Sequence, residues 1–207
     1  MGLRVGLTGG LGSGKSTAAT LLKDRGAYVL SADEIGRKLM EPGQACYNAI
    51  VERFGEGVVR EDGTLNRPAL ARIAFADGRV EELNAIVHPA TIGLQEKIAG
   101  EILRRDPDAI VVVESALIFE STHGKGWRER FDKLILVTAP EAVKIARFVA
   151  RSGGDDAATL EAEARRRLAQ MIPDETKEPQ CDFVIRNDGT LEELEAQVDR
   201  TWKTLTA

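Results

Sequence analysis

Gly9-Gly10-Leu11-Gly12-Ser13-Gly14-Lys15-Ser16 fits the phosphate-binding pattern G-x-x-x-x-G-K-S/T at every fixed position. The apolar residues 3–7 precede this stretch, and a helical pattern over residues 15–25 follows it. The sequence therefore predicts a loop between a strand and a helix, whose backbone N–H groups converge on the phosphates of a nucleoside triphosphate. Lys15 is expected to contact the β- and γ-phosphate oxygens, and Ser16 to bind Mg²⁺.

Length and composition exclude several classes of protein. The chain has 207 residues, 43% of them hydrophobic, which is enough for one α/β core with insertions. Its formal net charge of −5 lacks the basic excess of dedicated nucleic-acid or membrane-surface binders. We see no signal pattern and no apolar run of membrane-spanning length, and we expect a cytoplasmic protein. Cys46 and Cys181 lack C-x-x-C spacing, so we expect two reduced thiols and assign neither a role.

Apolar runs alternate with helical patterns along the chain. The runs predict five strands, at residues 3–7, 28–30, 109–113, 133–137 and 183–185. Helical crossovers between strands indicate a parallel sheet flanked by helices, the α/β architecture of P-loop nucleotide kinases. Ligands of such sheets bind at the carboxyl ends of the strands, so the phosphate loop, Asp33 and Glu114 are expected to share one crevice.

Two helical insertions interrupt the predicted core of residues 1–33, 108–139 and 180–207, all within one domain spanning 1–207. The first insertion, residues 34–107, is expected to hold a second substrate. Its helix signals lie at 44–54, 68–75, 79–87 and 89–105, with Asn66 as an N-cap.

The second insertion, residues 140–179, is predicted to be a helical lid. Two helices flank residues 152–156, whose glycine pair would act as a hinge, and arginines are concentrated in the insertion. The alternative is a solvated hairpin with arginines paired to nearby glutamates, which we favour for Arg165 and Arg166. After a turn at 187–189, Thr190 and Glu193 have the spacing of a capping box before a final helix.

The chain resembles the dephospho-coenzyme A kinase family over nearly its whole length. The phosphate loop alone is shared by many NTPase families, but an ordered set of motifs is specific. The set comprises residues 7–17, 32–33, 41–43, 54–55, 62–67, 87–89, 117–120, 147, 151 and 182–187.

This resemblance implies ATP-dependent phosphorylation of the ribose 3′-hydroxyl of dephospho-coenzyme A, the last step of coenzyme A biosynthesis. It implies catalytic roles for Asp33, which would orient and deprotonate the hydroxyl, and for Lys15 and Arg147, which would face the transferred phosphate. The implied ATP contacts are Gly10, Leu11, Gly12, Ser13, Gly14, Lys15, Ser16, Thr17, Arg147 and Asn187. The implied acceptor contacts are Thr8, Asp33, Arg67, His88 and Glu120. Ser16 and Glu114 would bind Mg²⁺, Glu114 directly or through water.

Three positions depart from the family pattern. Glu114 and Ala116 stand where many members have aspartate and proline, and Ser31 replaces a frequent aspartate, so the metal shell stays open. Two site residues also have structural alternatives. Asp33 would fit as the N-cap of the following helix, and His88 as a turn residue at a helix end before Pro89. His123 is assigned no role.

Other functions are disfavoured. A regulatory GTPase would need an N-K-x-D motif, which is absent, and the D-x-x-G at 33–36 follows the loop too closely. A kinase with another acceptor shares the fold, but the motifs around Arg67 and His88 argue against it. A non-catalytic ATP-binding module would have no use for Asp33. The expected partners are ATP and dephospho-coenzyme A, and we expect no nucleic-acid or membrane partner. We expect the protein to be a monomer or a weak homo-oligomer.

Overall fold

The computed structural model contains a five-stranded sheet and describes residues 1–76, 78–120, 126–153 and 156–207, with the backbone alone at 75 and 76. The strands are β1 (Leu3–Thr8), β2 (Tyr28–Ser31), β3 (Ile110–Glu114), β4 (Lys133–Thr138) and β5 (Phe183–Arg186). Their order in the sheet is β2-β3-β1-β4-β5, and β1 pairs in parallel with both β3 and β4, as β4 does with β5. This arrangement confirms the predicted α/β fold.

The central strands are largely apolar because helices flank the sheet. Val5, Val112 and Ile135 are fully buried. Helices α1 (Lys15–Asp24) and α10 (Leu191–Leu205) contribute further residues to the same core. The predicted capping box is present at the start of α10: Thr190 Oγ1 accepts from Glu193 N at 3.3 Å, and Thr190 N donates to Glu193 Oε2 at 2.8 Å.

The chain forms two compact units. The first contains Met1–Leu30, Glu101–Glu120 and Trp127–Ala207, and therefore nearly all of the sheet. The second contains Ser31–Gly100. Its helices are α2 (Ala32–Leu39), α3 (Ala45–Phe54), α4 (Arg67–Ala76) and most of α5 (Val80–Arg105), with a 3-10 turn at Glu56–Val58.

The second unit has a hydrophobic core of its own, built around Ile50, Val58 and Leu70. The predicted cap of α4 is confirmed, because Asn66 Oδ1 accepts a hydrogen bond from Ala69 N at 3.2 Å. Cys46 is buried in this core as a free thiol, and Cys181 is a free thiol in the first unit, as expected.

One prediction about the second unit is wrong. The segments 79–87 and 89–105 are a single helix, α5, which continues through Pro89. Proline removes one backbone hydrogen bond from a helix interior. The neighbouring Ile86, Val87 and Ala90 pack against the core of the unit, which offsets that loss. His88 therefore lies inside a helix and not at the end of one.

A helical hairpin occupies the second insertion, as predicted. It consists of α7 (Glu141–Ser152) and α8 (Ala157–Ala169), and it follows the short α6 (Trp127–Arg130) and β4. Beyond it lie α9 (Asp174–Lys177) and a 3-10 turn at Glu178–Gln180. Of the proposed hinge, Gly154 and Asp155 lie outside the described residues, as does His123.

The hairpin has a small apolar core of Ile145, Phe148, Leu160 and Ala164. Leu11 of the phosphate loop packs against this core together with Leu168. The loop and the hairpin are thus joined by apolar contact. Over the part of the chain that the structure describes, no helix combines the length and apolar character of a membrane-spanning segment.

Candidate active site

The phosphate loop connects β1 to α1 and depends on two glycines with positive φ. Gly12 has φ +71°, and an added Cβ would collide with the backbone carbonyl of Lys144. Gly14, the N-cap of α1, has φ +89°, and a Cβ there would collide with the Asn187 amide. The backbone can therefore curl tightly and direct N–H groups toward an anion at the start of α1.

Lys15, Ser16 and Glu114 come together beyond the carboxyl ends of β1 and β3. Ser16 Oγ donates a hydrogen bond to Glu114 Oε1 at 2.7 Å, and Lys15 Nζ lies 3.4 Å from the same oxygen. Leu7 pairs with Glu114 in the sheet register, which places the acid beside the loop that follows β1. The cluster combines a cation, a hydroxyl and a carboxylate at the place where phosphates and a metal are expected.

The donor set of this cluster fits Mg²⁺ held jointly with a nucleotide. Ser16 and Glu114 offer hard oxygen ligands, and Mg²⁺ usually keeps several waters and takes only one or two protein ligands beside substrate phosphates. Among the described residues, no group of three or more His, Cys, Asp or Glu could hold a metal by itself.

Arg147 and Asn187 form a second polar contact with the loop. Asn187 is buried, and its Nδ2 donates to the Ser13 carbonyl at 2.8 Å. Arg147, on α7, donates to the Asn187 carbonyl at 2.9 Å and lies 3.4 Å from Asn187 Oδ1. The end of β5 thereby fixes both the loop and the arginine.

Sequence reasoning missed Lys144 and Asp174, which lie 30 residues apart along the chain. Lys144 Nζ, one turn before Arg147 on α7, forms a close ion pair with Asp174 Oδ2. The same carboxylate oxygen accepts a hydrogen bond from Thr138 Oγ1 at 2.5 Å. The Lys144 and Asp174 side chains are only 10% and 11% exposed. No periodic pattern marks a pair so far apart.

Arg165 and Arg166 of the hairpin, which we expected to pair with glutamates, do so. Arg165 Nη1 lies 3.1 Å from Glu141 Oε1, and Arg166 forms two hydrogen bonds with Glu163, each 2.8 Å long. Both arginines are more than half exposed. These are surface ion pairs of the kind that adds little to stability.

Glu120 has an internal partner. Its Oε1 lies 2.7 Å from Nζ of the fully buried Lys177 and accepts a hydrogen bond from Ile172 N at 3.2 Å. The lysine contact is close but lacks hydrogen-bond alignment, so we treat it as an ion pair. Thr8, at the end of β1, is completely buried, and its Oγ1 has no hydrogen-bond partner among the described residues.

The remaining predicted acceptor residues lie in the second unit. Asp33 is exposed in the first turn of α2, where Ser31 Oγ accepts from Glu34 N at 3.4 Å. Ser31 is therefore the N-cap, and the capping alternative for Asp33 is wrong. Arg67 begins α4 and donates to the Arg37 carbonyl at 3.3 Å, one helical turn beyond Asp33. His88 lies within α5.

The first unit has the core of a P-loop kinase. A parallel sheet carries a phosphate loop after its first strand and an acid as the last residue of the neighbouring strand, and a helical hairpin packs on the loop. The family model for dephospho-CoA kinase matches residues 3–193, so the chain belongs to the dephospho-CoA kinase family. This family catalyses the ATP-dependent phosphorylation of dephospho-coenzyme A, the last step of coenzyme A biosynthesis.

Known proteins match nearly the whole length of the chain in sequence or in fold. The dephospho-CoA kinase of Moorella thermoacetica is 42% identical over 202 residues, covering 97% of this chain and 91% of its own. A crystal structure of a Thermus thermophilus protein has a TM-score of 0.76 and 34% identity, covering 99% of this chain and 98% of its own. The dephospho-CoA kinase of Campylobacter jejuni has the same fold, with a TM-score of 0.69 at 20% identity, covering 100% of this chain and 98% of its own.

Proposed function

We propose that this chain transfers the γ-phosphoryl group of ATP to the ribose 3′-hydroxyl of dephospho-coenzyme A, using the side chains described above. The cluster of Lys15, Ser16 and Glu114 at the strand ends carries the proposal. Phosphoryl transfer requires an anion cradle, cations over the developing charge and a residue that aligns the nucleophile. The chain supplies a candidate for each requirement.

Phosphate binding is assigned to the loop and the residues beside it. The backbone of Gly10–Thr17 would hold the phosphates, and Lys15 would contact the β- and γ-phosphate oxygens. Arg147 would add a second cation on the side of α7. Asn187 would hold the loop in place through Ser13. Mg²⁺ on Ser16 and Glu114 would neutralise phosphate charge when it is bound.

Asp33 is assigned as the catalytic base. Its carboxylate would accept the proton of the 3′-hydroxyl as that oxygen attacks the γ-phosphorus. The bond from the γ-phosphorus to the β,γ-bridging oxygen breaks at the same time, and ADP leaves with those electrons. The exposure of Asp33 and its freedom from capping α2 support this role.

The acceptor is assigned to residues 34–107, and residues 140–179 are assigned as the lid of a single kinase domain. Arg67 would bind an anionic part of dephospho-coenzyme A and His88 a neighbouring group. Thr8, with its unpaired hydroxyl, and Glu120 would complete the acceptor contacts. The binding energy of the remote part of the acceptor would then support the chemical step.

An acceptor panel tests the proposed reaction. Dephospho-coenzyme A, AMP, CMP, shikimate and adenosine are each incubated with ATP and Mg²⁺, and the products are identified by mass and by the position of the new phosphate. We expect dephospho-coenzyme A to react far more efficiently than the others, with the phosphate on the ribose 3′ oxygen. A preference for a mononucleotide, or phosphate at another position, would contradict the proposal.

Asp33→Asn tests the base. The amide keeps the shape of the side chain but cannot accept the proton, so kcat should fall by roughly 10²-fold or more, with a smaller change in ATP affinity. Glu34→Gln is the matched control, because this carboxylate is the next residue in the same first turn of α2 and is also exposed. If ATP affinity collapses in Asp33→Asn while kcat survives, Asp33 serves the metal or the fold.

We also propose that the enzyme works in the cytoplasm as a monomer or weak homo-oligomer, with ATP and dephospho-coenzyme A as its partners and without nucleic acid or membrane. The acidic balance of the chain, with a net charge of −5, supports the absence of a nucleic-acid or membrane partner. Light scattering coupled to gel filtration would measure the oligomeric state.

A further inference from the structure

Two polar residues, Lys144 and Asn187, lie beside the phosphate loop, and the proposed reaction assigns no role to Lys144. Lys144 lies at one end of the loop: a Cβ added to Gly10 would lie 3.6 Å from its Nζ, and one added to Gly12 would collide with its backbone carbonyl. Asn187 lies at the other end of the loop, bonded to Ser13. The loop is therefore held between α7 and the end of β5.

These two ends are connected through the protein. The Lys144 ammonium pairs with Asp174, and Asp174 accepts from the Thr138 hydroxyl at 2.5 Å. The Thr138 carbonyl in turn accepts from Asn187 N at 2.8 Å. We call these four residues the loop frame. It connects Lys144, which lies beside Gly10 and Gly12, to Asn187, which is hydrogen-bonded to Ser13.

Burial indicates that the frame is more than a surface ion pair. Lys144 and Asn187 are 8% and 7% exposed as whole residues, and a buried charge is costly unless it is paired. An apolar pair of similar size would fill the same space without that cost. A charged pair is directional, whereas an apolar contact is not. The Asp174 carboxylate, which Lys144 and Thr138 share, therefore holds both donor groups at defined positions.

We propose that Lys144 is a positioning residue for phosphoryl transfer, and that Asp174 orients it so that the loop frame holds the phosphate loop ready for ATP. Lys144 would act on the loop at Gly10 and Gly12, while Lys15 would contact the phosphates themselves. The inference rests on the assignment of residues 9–16 as the phosphate-binding loop.

The test separates positioning from stability. Lys144→Met keeps the length of the side chain and removes its charge, but leaves Asp174 buried without its cation. The double variant Lys144→Met/Asp174→Asn removes both charges together. We expect the double variant to melt higher than the single variant, because it lacks an unpaired buried carboxylate. Both should nevertheless lose kcat/KM for ATP by roughly 10-fold to 100-fold, because the loop is displaced.

Ligand binding provides the second readout. The affinity of the double variant for ATP and ADP should fall by about tenfold, while adenosine, which has no phosphate for the loop, should bind within about twofold of the wild-type affinity. Lys133→Met is the control, because Lys133 pairs with Asp182 at 2.9 Å in the same unit without contacting the loop. It should leave all three affinities unchanged.

Two results would overturn the proposal. Normal kcat/KM for ATP in the double variant would show that the pair serves stability alone. An equal loss of affinity for adenosine and for ATP in the double variant would show a general loss of structure. Lys15→Ala in the same assay distinguishes a failure of this proposal from a failure of the phosphate-loop assignment on which it rests. Unchanged ATP binding in that variant would refute the phosphate-loop assignment itself.

Discussion

Asn187→Ala should impair ATP use by releasing the phosphate loop from the end of β5. The substitution removes the buried 2.8 Å hydrogen bond from Nδ2 to the Ser13 carbonyl. It also removes Oδ1, which lies 3.4 Å from Arg147 Nη2. The 2.9 Å hydrogen bond from Arg147 Nη1 to the backbone carbonyl of residue 187 does not depend on the side chain and should persist.

The magnitude follows from the contact that is lost. A buried carbonyl left without its donor costs about 1–3 kcal/mol, whereas the long contact with Arg147 contributes little. If half of that cost, about 0.5–1.5 kcal/mol, falls on the ATP-binding conformation of the loop, the KM for ATP rises by roughly twofold to tenfold, since 1.4 kcal/mol corresponds to one factor of ten. The KM for the acceptor should not change.

The assay measures initial rates over a range of ATP concentrations, together with thermal unfolding. Gln197→Ala is a matched control, because this side-chain amide also bonds to the backbone but does not touch the loop: its Oε1 accepts from Arg186 N at 2.9 Å, and its Nε2 donates to Arg186 O at 2.7 Å and to Glu193 O at 3.4 Å. It should lower stability without raising the KM for ATP. An unchanged KM for ATP in folded Asn187→Ala would refute the idea that β5 holds the loop.

Three further predictions concern single residues. Lys15→Ala should leave a folded protein, by circular dichroism, with almost no activity in a coupled ATP assay, because the cation at the most charged point of the reaction is lost. Arg147→Ala should reduce turnover much more than Arg165→Ala, since Arg165 forms an exposed pair with a glutamate; equal effects would contradict this distinction. Burial, aided by the neighbouring Asp182 carboxylate, raises the pKa of the Cys181 thiol to about 11. Folded protein at pH 8 should therefore carry roughly 100-fold less thiolate at this residue than an unshifted cysteine does, and alkylation followed by mass spectrometry should show slow labelling that urea accelerates.

The sequence predicted those parts of the molecule that depend on local pattern. Apolar runs located all five strands to within one or two residues, because buried parallel strands need continuous hydrophobic side chains. The phosphate loop was evident because its glycines and Lys15 stand at fixed spacing. The capping box at Thr190 was also found, since it depends on residues three apart.

Features that depend on tertiary contact were not predictable. Pro89 indicated that the helix is interrupted between residues 87 and 89, but packing of the neighbouring residues keeps α5 continuous. Ser31 and Asp33 are both good capping residues, and only the backbone geometry decides that Ser31 caps α2. The pairing of Lys144 with Asp174 joins α7 to α9, and the whole of α8 lies between these helices in the sequence, so no spacing rule detects it.

The strand order has a consequence for synthesis of the protein on the ribosome. The phosphate loop is translated among the first residues, yet the partners of β1 are β3, at 110–114, and β4, at 133–138. The hydrogen bond that holds Ser13 comes from Asn187, 174 residues later. A contact between two segments that are distant in sequence forms only after both segments have been translated. A nascent chain therefore cannot assemble its ATP site early. The loop that is synthesised first is therefore completed last, and premature termination anywhere before β5 yields a chain without a finished nucleotide site.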